Sequence, residues 1–133
     1  MESKSKSALL VEDEPMSRMV LERQLRRAGF VRTLVATNGY EALNVLPDGD
    51  CPDVIFTDVH MPDIDGISLV SFLRQSPGFA TIPIVAVTVD AADSRDWQAE
   101  GFSDYLGKPY TFEDLQTVLT RLDRAESSSK FSV

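Results

Sequence analysis

Cysteine, histidine and tryptophan each occur once in the 133 residues, basic residues are outnumbered, and no long apolar run is present. Cys51 has no partner for an internal disulfide and no second thiol for a metal site, which argues against a disulfide-stapled scaffold and fits a reducing compartment. The lone His60 reads as an exposed loop side chain. Thirteen Lys and Arg against 21 Asp and Glu leave a net charge of −8, which repels nucleic acid and anionic membrane surfaces and counts against direct DNA binding. No segment approaches the roughly 18 to 20 apolar residues of a membrane span. Residues 1–7 are polar and lysine-bearing, unlike a secretory signal, so the cytoplasm is the expected compartment.

What is present is the mix of one globular domain, with 43% hydrophobic and 26% charged residues. Short apolar runs at 8–11, 33–36, 54–57, 82–87 and 105–106 have strand length and are rich in Val and Ile. Helical spacing fills the intervals, and the alternation predicts a parallel α/β sheet of five strands with five helices on both faces. Pro15 suits a first helical turn, Met16, Met19, Val20, Leu21, Leu25 and Ala28 supply apolar rows, and Gly29 ends the segment. Further helices are expected at 39–46, at 66–75, within 91–100, and after a Thr111 cap with Phe112, Leu115, Val118, Leu119 and Leu122 on one face. Residues 1–7 and 125–133, rich in Ser and charge, read as tails around a unit at 8–124.

In an open parallel sheet, ligands bind beyond the carboxyl ends of the strands. Those positions here are polar: Glu12-Asp13-Glu14, Thr57-Asp58, Thr88 and Lys108-Pro109. Carboxylates brought to one place require a proton or a cation, and groups ionised at neutral pH favour a hard divalent ion. Asp13 and Asp58 are candidate Mg²⁺ ligands, with a backbone carbonyl just after Asp58 and with Glu12 orienting a bound water. An aspartate beside a lysine and a threonine can also attack phosphorus, with Lys108 and Thr88 meeting the charge on the transferred group. Glu14 is better read as a helix cap.

Four segments together resemble the response-regulator receiver family of two-component signalling: Leu9-Leu10-Val11-Glu12-Asp13-Glu14-Pro15, Asp58-Val59-His60-Met61-Pro62-Asp63-Ile64-Asp65-Gly66, Ala86-Val87-Thr88 and Tyr105-Leu106-Gly107-Lys108-Pro109. The resemblance implies a flavodoxin-like sheet of order 2-1-3-4-5. It implies Asp58 as phosphoacceptor, and Asp13, Asp58 and the His60 backbone carbonyl as ligands of Mg²⁺ or Mn²⁺, with Glu12 behind them. Thr88 and Tyr105 become the switch pair, Lys108 the phosphoryl-binding lysine, and the peptide bond before Pro109 cis. The partners implied are a histidine kinase or histidine phosphotransfer protein, commonly met by the first helix with its Arg23, Arg26 and Arg27, and a downstream output domain or protein. The output surface would be the fourth helix, fifth strand and fifth helix.

Glu12 stands where aspartate is more frequent, Val89 is bulkier than the usual small residue after the switch threonine, and His60 and Asp90 fall at positions that tune the phosphorylated lifetime. The resemblance implies no enzyme beyond catalysis of its own phosphorylation and slow dephosphorylation. A receiver-like interaction module without phosphorylation would have lost the nucleophile, an acid or the lysine. A Mg²⁺-dependent phosphohydrolase would often carry a second Asp two residues after the nucleophile, where this chain has His60.

Overall fold

The computed structural model describes residues 6–45, 52–59, 66–76, 79–89 and 101–131. Within them the strands are β1 (Lys6–Val11), β2 (Phe30–Ala36), β3 (Val54–Asp58), β4 (Ile84–Thr88) and β5 (Asp104–Gly107). The helices are α1 (Pro15–Arg27), α2 (Gly39–Val45), α3 (Gly66–Arg74) and α4 (Phe112–Phe131). All strands pair in parallel in the order β2-β1-β3-β4-β5, as the sequence predicts. The helix expected within 91–100, with Trp97, lies outside the described residues, as do Cys51, His60 and Asp90.

Strand periodicity explains why both faces are covered. Successive side chains of a strand point to opposite faces, and Leu9, Val11, Ile55, Ile84 and Ala86 join one core with Ala42 of α2 and Leu69, Val70 and Leu73 of α3. The intervening Ala8, Leu10, Val54, Phe56, Val85 and Val87 join a second core with Leu21 and Leu25 of α1 and Leu115 and Val118 of α4. Each large apolar side chain taken fully out of water contributes about 1.5–3 kcal/mol, so the central strands anchor the fold.

The apolar rows of α1 divide between a buried and an exposed side. Leu21 and Leu25 are buried, whereas Met16, Met19 and Val20 are exposed. At about 100° per residue these three fall on the side away from Leu21 and Leu25. Glu14 caps the helix by accepting from the Ser17 N–H at 2.7 Å, as its position suggested. Gly29 closes it with φ at 106°, a region costly for residues with a Cβ, while its N–H reaches the Arg26 carbonyl at 3.0 Å.

Thr111 caps α4, its hydroxyl accepting from the Asp114 N–H at 3.1 Å while the Asp114 carboxylate accepts from the Thr111 N–H at 2.9 Å. The helical backbone continues through Phe131, past position 124 where composition suggested a tail. At the opposite end of the sheet from the acidic residues, Arg74 donates to the carbonyls of Gly101 at 2.9 Å, Ala80 at 3.0 Å and Ile82 at 2.7 Å, and to the Ser103 hydroxyl at 3.2 Å. This one guanidinium ties the end of α3 to the segments that feed β4 and β5.

Candidate functional site

From β1 the chain crosses to β2 on one side, and β3 lies on the other, so the carboxyl ends of β1 and β3 flank the topological switch point. Register then decides which groups meet. Val11 is level with Thr57, Asp58 with Val87, and Thr88 with Gly107. Glu12 and Asp13 follow β1, Asp58 ends β3, Thr88 ends β4, and Lys108 is the first residue beyond β5. The Lys108 N–H donates to the Thr88 carbonyl at 2.9 Å, and the Lys108–Pro109 bond is cis.

Glu12, Asp13 and Asp58 each offer a carboxylate oxygen within 4.8 Å of the others. The Lys108 Nζ lies 2.8 Å from Glu12 Oε1 and 3.6 Å from Asp58 Oδ2. Among the described residues, three carboxylates gather around one lysine ammonium, a formal excess of negative charge that a divalent cation would offset. An all-oxygen set that is part buried and part exposed suits Mg²⁺, which keeps several waters. The donor set therefore fits the metal that the sequence implied, with the His60 carbonyl outside the described residues.

Burial shapes the charges. Glu12 is only 4% exposed. Burial raises its pKa and the Asp58 charge adds to this, against the opposing pull of the Lys108 hydrogen bond. Burial also disfavours the Lys108 ammonium, yet the Glu12 hydrogen bond and the Asp58 charge outweigh it and raise the lysine pKa. The Tyr110 hydroxyl is pushed up to about 12 by burial, with the Glu12 charge adding.

Glu12, Asp13, Asp58 and Lys108 thus form one cluster, with Thr88 buried at its edge and bonded to Lys108 through the backbone. Tyr105 stands apart on the edge strand β5 with 43% of its surface exposed. Its N–H donates to Asp104 Oδ1 at 2.8 Å, and Asp104 receives Arg121 of α4 through two bonds of 2.8 and 2.9 Å. Val89 is 70% exposed and borders a groove of about 320 Å³. Met16, Ser17, Val20, Lys108, Pro109 and Tyr110 complete that groove, which sequence reading missed. Placing Met16 and Val20 on a helical wheel opposite Leu21 would have revealed its wall.

The family model described as the response regulator receiver domain matches residues 8–120. The chain is 36% identical over 121 residues to the sensor histidine kinase CheAY of Helicobacter pylori, covering 89% of this chain but 15% of that kinase. A chemotaxis response regulator of Vibrio cholerae superposes with a TM-score of 0.79 at 28% identity, over 89% of this chain and 98% of that one. The receiver domain of a sensor histidine kinase of Pseudomonas aeruginosa PAO1, solved with a magnesium ion in its active-site cleft, gives 0.79 at 31% identity over 89% and 97%. The chain belongs to the response regulator receiver domain family. It is a two-component signalling module homologous to those within sensor histidine kinases and response regulators, and such domains are generally not enzymes. Among the described residues, no helix is long and apolar enough to cross a membrane.

Proposed function

We propose that the unit at 8–124 takes a phosphoryl group from a phosphohistidine onto Asp58, in the cytoplasm, and relays the change to an output domain or protein. The observation that carries this is the Lys108 ammonium 3.6 Å from Asp58 Oδ2, inside a cluster of three carboxylates. In the transfer, an Asp58 oxygen forms a bond to phosphorus while the bond from phosphorus to the histidine nitrogen breaks, and the imidazole, protonated on its other ring nitrogen, leaves as the neutral base. Asp13, Asp58 and the His60 carbonyl would hold Mg²⁺ or Mn²⁺, with Glu12 behind them. The ion, when bound, supplies positive charge against the phosphoryl oxygens.

Lys108 pairs with one phosphoryl oxygen and the Thr88 hydroxyl donates to another. Movement of Thr88 toward that oxygen draws Tyr105 inward and shifts the population of the output face. The groove beside Lys108, with exposed Met16 and Val20 on α1, receives the phosphodonor. Val89, His60 and Asp90 tune access and lifetime. The protein acts on itself alone, gaining and slowly losing one phosphoryl group.

Incubation of the purified protein with Mg²⁺ and either a phosphorylated histidine phosphotransfer protein or a small phosphodonor tests this. The wild type takes up a single phosphate that hydroxylamine releases, and Asp58→Asn takes up none. Label retained on Asp58→Asn would overturn the assignment, as would multiple turnover of a phosphate ester.

A further inference from the structure

Both oxygens of the Glu12 carboxylate are committed. Oε1 accepts from the Lys108 Nζ at 2.8 Å, and Oε2 accepts from the Glu14 N–H at 3.1 Å. The backbone of the same residue is held as well, its N–H donating to the Ala36 carbonyl at 2.9 Å and its own carbonyl accepting from Arg18 Nη1 at 3.2 Å. Glu12 is therefore fastened to β2, to the start of α1 and to the lysine, and it is not free to follow the ammonium. Lys108 in turn stands closer to Glu12 than to Asp58, at 2.8 against 3.6 Å.

We infer that Glu12 is a positioning residue for Lys108, and that the reach of the side chain at position 12 sets how far the ammonium stands from the phosphoryl-accepting oxygen. The inference rests on Asp58 as the acceptor and adds a competitor to it. When a phosphoryl group arrives, Lys108 must exchange its Glu12 contact for a phosphoryl oxygen. Among the described residues, that leaves a carboxylate only 4% exposed with the Glu14 N–H as its remaining donor. The exchange opposes phosphorylation. An aspartate at position 12 retracts the competing oxygen by one carbon–carbon bond, about 1.5 Å, which exceeds the difference between the two lysine contacts.

The test compares the wild type, Glu12→Asp and Glu12→Gln in the full chain with saturating Mg²⁺ and phosphoramidate as donor. Three quantities are read: the side-chain ammonium NMR signal of Lys108, the labelling rate and the Mg²⁺ affinity by calorimetry. Glu12→Asp keeps the charge, and at saturating Mg²⁺ the Lys108 signal shifts and labelling quickens by about threefold or more, with Mg²⁺ affinity read separately. Glu12→Gln keeps the length but has one acceptor oxygen for two donors, so it cannot serve both the Glu14 N–H and Lys108, and the lysine signal shifts although Mg²⁺ binds more weakly.

An unmoved Lys108 signal in both variants would overturn the inference. Labelling by Glu12→Asp at saturating Mg²⁺ that matches the wild type, with only the Mg²⁺ affinity changed, would do the same, since Glu12 would then act through the metal alone. Failure of the underlying assignment is separately visible, as label retained on Asp58→Asn.

Discussion

Val89 is placed to act on the proposed transfer through access to the groove beside Lys108. It is 70% exposed, follows Thr88 at the end of β4, and shares the groove wall with Lys108. Val89→Ala removes two methyl groups from the approach while disturbing no core contact, so stability should change by no more than about 0.5 kcal/mol. Labelling by acetyl phosphate should quicken by several fold, and an unchanged rate with a wild-type melting curve would remove Val89 from the access route. The acids, Thr88 and Lys108 were legible in the sequence because in a parallel sheet the polar residues after buried strands must share one edge. Lys108 favouring Glu12 over Asp58 was not legible, since it turns on a difference between 2.8 and 3.6 Å. Arg74 was hidden for another reason: its partners are backbone carbonyls and one hydroxyl spread over distant loops, and no residue type announces them.

Elements were legible where periodicity carried them and less so at their ends. β2 begins at Phe30 rather than 33, because pairing of Lys6 with Phe30 extends the ladder past Arg32, a charged residue that interrupts the apolar run. α2 is short, and its start depends on local hydrogen bonds. Asn38 Oδ1 accepts from the Glu41 N–H at 2.8 Å, while the Glu41 carboxylate accepts from the N–H and the hydroxyl of Thr37. Those two Thr37 donors hold the Glu41 pKa below its ordinary value of 4.5. A carboxylate whose folded-state pKa is depressed stabilises above the unfolded value and loses that contribution as pH falls through the folded one. Glu41→Gln should therefore lower the urea midpoint at pH 7, and the gap from wild type should close as the pH drops below 4.5. A gap that persists unchanged at pH 3 would mean that the carboxylate charge is not what holds this turn.

At the scale of the molecule, the site is a charge problem created by folding. Residues 58 and 108 are far from the adjacent pair 12 and 13 in the chain, and only the sheet order brings Asp58 to that pair, with three carboxylates within 4.8 Å of one another, in a protein that already carries a net charge of −8. The unfolded chain separates Asp58 from Glu12 and Asp13, so its repulsion by that pair acts against the native state, and a cation that binds the native cluster stabilises the whole fold through linkage. Free Mg²⁺ at about 100 times its dissociation constant should add about 2.7 kcal/mol, a rise in melting temperature on the order of 10 °C for a domain of this size. Asp13→Asn separates the two effects. It removes one of the repelling charges, so the variant should melt higher than wild type without Mg²⁺. It also removes a proposed ligand, so added Mg²⁺ should raise its melting temperature little. Calorimetric scans of both proteins with and without Mg²⁺ measure this crossing. If Asp13→Asn instead melts lower in the absence of metal and responds to Mg²⁺ as fully as wild type, Asp13 is a structural surface group and the cation is held elsewhere.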